Sequence, residues 1–214
     1  MTWITYSDVN TLTNITSSDV ANSDVTSLIG YARRQVLTDI QIKFDREKVG
    51  YIDNTRQNKI DGSNTYFYVQ NWKGLFLGDL DLDGDVDTSD VLVYQVASDG
   101  TETALTVSAV DQDDCKITLS TAPTSGVRLY ITYTSAAIDV STPNPLVNLA
   151  CTYLTASYCY AKVNIGKAKS VAFGNTRILR HMESSNEYYQ KYQQVIKQIW
   201  SFKPVDMEQS ENIL

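Results

Sequence analysis

A strand-rich, strongly acidic segment interrupts a chain whose two ends read as helix. Apolar residues recur at helical spacing before about residue 45 and after about residue 143, whereas Thr65 to Tyr133 offers short β-branched and aromatic runs between turns, with an aspartate-dense loop among them. Helical segments so far apart must close on one another while the part between them folds by itself. The expected class is α+β: a small helical bundle of N- and C-terminal helices (1–64 and 141–204) interrupted by an antiparallel β-sandwich or barrel-like insertion (65–140), with a flexible tail (205–214). An architecture of this kind suits a building block better than an enzyme.

Charge sharpens the division. From Thr65 to Val140 there are 12 Asp and Glu against 3 Lys and Arg, a net of -9, while the other residues hold 13 acids against 15 bases, a net of +2. The insertion repels nucleic acid unless cations bind it, so any contact with a polyanion falls to the helical part. The 43% of hydrophobic residues suffices for a core, and no apolar run reaches the roughly 18 residues of a membrane span. The opening Met1 to Asp8 lacks the basic and apolar regions of a signal peptide, which leads to the expectation of a protein made and kept in a cytoplasm.

Ser7 or Asp8 can cap a short helix running through Leu12, and Ser17-Ser18-Asp19 with Asn22-Ser23-Asp24 offers caps for a longer one. Val25, Leu28, Ile29, Ala32, Val36 and Ile40 form the stripe of that second helix, which ends between Asp39 and Phe44. Asp24 suits its dipole, and Arg33 and Arg34 fall on the solvated face. The polar stretch Asp45 to Ser63 reads as an extended connection, with Asp61-Gly62 as a turn. Strands follow at Tyr66 to Gln70, Leu75 to Leu77, Val91 to Val96, Leu105 to Val110, Lys116 to Leu119 and Val127 to Tyr133. In the last of these, Leu129, Ile131 and Tyr133 share one face and Arg128, Tyr130 and Thr132 the other.

Asn144-Pro145 supplies a cap and a first-turn proline for a third helix, apolar around much of its circumference, that ends before Gly166. Burial on several sides follows, inside the fold or against a neighbouring subunit. Cys151 and Cys159 stand eight positions apart on it, about 12 Å along the axis, too far for a disulfide. After a loop around Phe173-Gly174-Asn175, Ser184 with Glu187 has capping-box spacing, and Tyr188, Tyr192, Val195, Ile196 and Ile199 form the stripe of a final helix that Pro204 stops.

One motif carries site chemistry. Asp79-Leu-Asp81-Leu-Asp83-Gly84-Asp85-Val86-Asp87-Thr-Ser-Asp90 reproduces the twelve-position calcium loop: acids at positions 1, 3, 5, 9 and 12, glycine at the sharp turn, a carbonyl offered by Asp85, and Val86 able to pack inward. A large hard cation takes six to eight oxygens, which only closely spaced carboxylates and carbonyls can converge. The candidate metal ligands are thus Asp79, Asp81, Asp83, Asp85, Asp87 and Asp90, and the expected ion is a structural Ca2+ that relieves their mutual repulsion. The bland alternative is a solvated acidic loop that binds nothing. Asp90 replaces the usual glutamate and strand precedes the loop, so it resembles the loop of a dockerin repeat, of which this chain has one copy.

No catalytic residues emerge. The lone His181 sits between Arg180 and Met182 without a nucleophile or a second ligand, and there is no phosphate-binding glycine loop. The fourteen tyrosines suit strands and interfaces.

Ile4-Thr-Tyr-Ser-Asp-Val9, Ser18-Asp-Val-Ala-Asn-Ser-Asp-Val-Thr-Ser-Leu-Ile29 and Ala32-Arg-Arg34 resemble the opening of head-tail connector proteins of tailed viruses, also called adaptor or head-completion proteins. Pro145-Leu-Val-Asn-Leu-Ala150 with Tyr153 and Tyr158, and Glu187-Tyr-Tyr-Gln-Lys-Tyr-Gln-Gln-Val-Ile196, are similar to that family's buried and closing helices. The resemblance implies a structural virion protein at the head-tail interface, assembled in the host cytoplasm. Its subunits would form a ring, commonly a dodecamer, that docks its C-terminal region on the portal protein. The next connector or tail protein would meet the other face, and DNA would pass through the lumen without sequence recognition. The β insertion departs from the minimal pattern and suggests an outward decoration or a capsid contact. Other readings are a tail terminator or capsid accessory protein, and a calcium-dependent binding module.

Overall fold

The computed structural model describes residues 3–50, 58–69, 75–140, 144–168 and 175–201, with the backbone alone for 164–168 and 175–183. They belong to two compact units, one helical, built from 1–39 and 143–201, and one strand-rich, built on 40–142.

The helical unit contains α1 (Tyr6–Thr13), α2 (Asn22–Ile40), α3 (Pro145–Ala168) and α4 (Asn175–Ser201). Thr5, not Ser7 or Asp8, caps α1. Its amide and hydroxyl both donate to Asp8 Oδ2 at 2.7 Å, so Asp8 serves from within the first turn. Asn14 ends α1 in the left-handed region at φ 55°.

The tyrosines explain how the helix ends survive burial. A helix leaves its last carbonyls without partners. Here Tyr188 and Tyr160 donate to the carbonyls of Leu12 and Thr13 at 3.2 and 2.9 Å, and Trp200 Nε1 donates to that of Asp39 at 2.9 Å. The Tyr192 hydroxyl donates to the Asp39 carboxylate. Tyr160 and Tyr188 also stack at 5.5 Å.

The third helix runs past Gly166 to Ala168, since one glycine near a terminus costs only about 1 kcal/mol. The fourth begins at Asn175, well before Ser184, because neither glycine nor proline stands between Asn175 and Ser201; His181 therefore lies within a helix. Ser185 makes a tertiary contact here: Ser157 Oγ donates to its carbonyl at 2.9 Å and its own hydroxyl donates to the Ser157 carbonyl at 3.1 Å, locking α3 to α4. Val147, Ala150, Cys151, Leu154, Thr155, Ala156, Cys159 and Val163 of α3 are all buried in the single chain, which supplies the burial expected on several sides without a second subunit. Arg33 is half-buried, unlike its exposed neighbour Arg34.

The strand-rich unit starts at Ile40, earlier than the boundary at residue 65 expected from the sequence. Gln41–Lys48 is strand β1, where the sequence suggested a helix end and an extended connection. It follows α2 directly and pairs antiparallel with β8 (Arg128–Ala136). The other strands are β2 (Tyr66–Tyr68), β3 (Phe76–Leu77), β4 (Leu92–Val96), β5 (Glu102–Leu105), β6 (Val107–Asp111) and β7 (Lys116–Leu119). The expected strand Leu105 to Val110 is instead two strands, because the chain leaves one sheet and enters the other at Thr106. One sheet is ordered β1-β8-β4-β5, with β3 also paired to β8; the second is ordered β2-β7-β6. Neither closes into a barrel. Both contribute to one core, with Leu77, Val93, Leu129, Ile131 and Tyr133 from the first sheet and Phe67, Ile117 and Leu119 from the second. Leu129, Ile131 and Tyr133 share the core face, as their alternation predicts.

A bulge between Phe44 and Glu47 puts Arg46 at φ 54°. Its guanidinium lies between the rings of Tyr94 and Tyr130, 5.5 and 5.4 Å from their centroids, and pairs with Glu102. One side chain thus links four of the sheet's five strands, β1, β8, β4 and β5, on its outer face. Among the described residues no helix is long and apolar enough to cross a membrane. The expected tail lies outside the described residues.

Candidate metal centre

The aspartate loop joins β3 to β4, and the sheet holds both of its ends. Leu77 pairs with Ser135 and Leu92 with Thr132 on the same strand, while Gly78 N donates to the Thr134 carbonyl at 2.8 Å. Residues 78–91 therefore loop out of what is otherwise one line of pairing along β8. The anchor points are three residues apart, roughly 10 Å at strand rise. Gly78 is needed at the loop's entry: a Cβ there would stand 2.1 Å from Gln41 Oε1 and 2.8 Å from Thr134 Oγ1.

The loop's own amides then gather its carboxylates. Asp79 is fully buried, and its Oδ1 accepts from the amides of Leu82 at 2.5 Å and Asp83 at 3.2 Å, its Oδ2 from Gly84 at 2.6 Å. Asp90, 1% exposed, closes the other end. Its Oδ1 accepts from Leu80 and Asp81 at 2.5 and 3.3 Å and its Oδ2 from Asp87 at 2.7 Å. Leu82 and Gly84 take positive φ, 62° and 97°, to make the turn, and Thr88–Asp90 forms a single 3-10 turn. Val86 packs against the β core, as its place in the motif predicts.

One carboxylate oxygen from each of Asp79, Asp81 and Asp83 lies within 4.8 Å of the other two. The Ser89 hydroxyl reaches Asp81 Oδ2 at 3.1 Å and Asp87 Oδ1 at 2.7 Å, tying a fourth acid to the group. Asp85 stands apart, exposed, with its carboxylate accepting from the Val86 amide at 3.0 Å. Three of the six expected ligands thus converge, Asp87 and Asp90 flank them, and the Asp85 carboxylate does not join.

Electrostatics favour a cation. Burial is the largest influence on Asp79 and pushes its carboxyl up to about 6, against the pull of the Gly84 amide and with the Asp90 charge adding to the rise. Asp90 is likewise raised, chiefly by burial. Asp87 moves the other way, lowered by the Ser89 amide and hydroxyl. A carboxylate that burial and a like charge discourage from ionising gains from a cation at its side. An all-oxygen set fits a hard divalent ion, and Asp79, Asp81 and Asp83 could hold one.

Outside the loop, Cys151 and Cys159 have thiols that burial pushes up to about 12 and about 11, which makes them poor nucleophiles at neutral pH. Cys115 is buried, and its Sγ donates to the Leu75 carbonyl at 3.1 Å. Sequence reading missed the gathering of tyrosine hydroxyls at helix ends, for which spacing along the chain carries no signal. No protein-family model, curated protein or solved structure matches this chain.

Proposed function

We propose that this chain is a structural virion protein, a head-tail adaptor that forms a ring beneath the portal and joins the DNA-filled head to the tail. The observation that carries the reading is that the chain's first and last helices form one compact unit and the residues between them another. That division accords with the connector resemblance of both terminal segments, a small helical unit with an extra module inserted in its sequence. Charge supports it as well. Residues 1–39 and 143–201 hold nine Lys and Arg against six Asp and Glu, whereas 40–142 holds eight against sixteen. The helical unit is thus the part suited to lie near DNA in a lumen, and the acidic unit the part that faces away from it.

Subunit contacts in such a ring are offered by Tyr31 of α2, Leu149 of α3 and Tyr189 of α4, which are 63%, 37% and 45% exposed. The aspartate loop takes Ca2+ in a structural role, and no catalytic step is assigned to the chain. Residues 205–214 dock on the portal. Electron microscopy of the purified protein, alone and with its portal, tests the reading: rings, commonly twelvefold, seated on the portal are the expected result. A protein that stays monomeric with the portal present refutes it. Deletion of 205–214 is expected to leave a folded subunit that no longer joins heads to tails.

A further inference from the structure

The two sheets of the strand-rich unit share one core, so each also turns a face outward, on opposite sides of the unit, and the two faces differ in charge. Val93, Leu129 and Ile131 point inward. Register therefore puts Leu92, Tyr94, Tyr130, Lys48 and Arg128 on the outer side of the larger sheet, with Lys43 there too, opposite Thr134. Arg46 lies over Tyr94 and Tyr130 on the same side. Half of the eight Lys and Arg in 40–142 gather on this face, where they meet two acids: Glu102, paired with Arg46, and Asp45, which accepts from the Thr132 hydroxyl at 3.0 Å. Four bases against two acids make the face positive in a unit whose full count is eight against sixteen.

The opposite side has the reverse sign. Phe67 and Ile117 fill the core, so Tyr68, Lys116 and Asp111 share a row on the outer side of the smaller sheet. Beyond that row the turn between β6 and β7 adds Asp113 and Asp114, both exposed, and Asp111 holds Lys116 at 3.5 Å. The positive face, for its part, has the composition of a protein contact. Leu92 is 44% exposed, and Tyr94 and Tyr130, directly opposed across the strands, are half-buried among the cations. Tyrosine and arginine are enriched at protein contacts, and Arg46, clamped by two rings and Glu102, has little freedom to lose on binding. Such a face calls for an acidic partner, and a second copy of this chain presents one on its far side. A front-to-back contact of unlike faces is heterologous and, repeated about an axis, closes a ring. We propose that the outer face of the larger sheet, around Tyr94, Tyr130, Lys43 and Arg128, packs against the turn at 111–114 of the next copy. This contact belongs to the ring of the adaptor reading, on which it rests, and adds strand-rich subunit contacts to those offered by the helices.

Assembly of the full chain on its portal, counted by electron microscopy and titrated by protein concentration, tests the contact. Lys43→Glu with Arg128→Glu sets acid against acid, and Asp113→Lys with Asp114→Lys sets base against base; all four residues are exposed, so the fold does not depend on them. Each pair is expected to raise the concentration that half-completes rings by about tenfold or more. All four reversals in one chain exchange the two charges and are expected to restore assembly. Rings of wild-type stability in Lys43→Glu with Arg128→Glu overturn the contact and leave the ring reading standing. Failure of the fourfold variant to recover what the two pairs lose overturns it too, since repulsion at this pairing is then not the cause. A wild-type chain that forms no ring removes both the contact and the reading on which it rests.

Discussion

The two units of this chain solve the same problem, burying polar groups, by opposite means. In the helical unit neutral donors meet buried backbone: Tyr160 and Tyr188 close the end of α1, Trp200 that of α2, and paired serines join α3 to α4. In the strand-rich unit two carboxylates, those of Asp79 and Asp90, are buried beside the hydroxyls of Thr132, Thr134 and Ser135, and are ringed by amides. Neutral partners are indifferent to salt and to pH across the ordinary range. Buried carboxylates are not, because their ionised form is disfavoured until a cation compensates it. The comparison therefore places in the strand-rich unit the buried carboxylates that a cation could compensate.

The strongest challenge to that contrast is a core deletion in the helical unit. Leu154→Ala removes a fully buried side chain of α3 and is expected to lower the stability of that unit by about 2–5 kcal/mol. Scanning calorimetry with far-UV circular dichroism should show the helical transition moving and the cation response of the loop unchanged; a lost cation response would show the units to be one cooperative body. Calcium comes next. At a hundredfold excess over its dissociation constant it should stabilise the strand-rich unit by about 2.7 kcal/mol and leave the helical transition where it was. Asp79→Asn with Asp83→Asn should abolish both that gain and the heat of titration.

A third measurement turns on pH. With its carboxyl raised to about 6, Asp79 holds a proton in the folded, cation-free loop that the unfolded chain has released. Its contribution to cation-free stability is thus fully present below about pH 4, the unfolded value, and lost as pH rises towards 6. Cation binding needs the proton gone, so calcium affinity should fall as pH drops through 6. Calcium titrations at pH 5 and 7.5 read this directly, and equal affinities would remove Asp79 from the ligand set. The smallest effect is that of Tyr192→Phe, which keeps the ring and removes the hydroxyl bonded to Asp39. A loss of about 1–2 kcal/mol is expected, read as a shift in denaturant midpoint that calcium cannot restore.

Legibility followed range along the chain. The stripe from Val25 to Ile40, the one from Tyr188 to Ile199 and the loop from Asp79 to Asp90 were readable because their meaning is contained in neighbours a few positions apart. Gln41–Lys48 was not. Its dense charge, Lys43, Asp45, Arg46, Glu47 and Lys48, reads as a connection, and only pairing with β8, nearly ninety residues onward, makes it a strand. Such charge is at home on the edge of a sheet, where it discourages further pairing. Ser184 and Glu187 gave a cap signal inside an unbroken helix, where Ser185 bonds across to α3.

The sequence by itself determined the division into helical ends and a strand-rich middle, the charge contrast between them and the calcium-loop spacing, because periodicity, composition and motif are local properties. Only the tertiary structure decided that the middle begins at Ile40 and that its sheets stay open. It also decided that α3 finds its cover within the chain and that tyrosines close the helix ends. Each of these depends on which distant residues meet, and a meeting of that kind is settled by the joint packing of the whole chain.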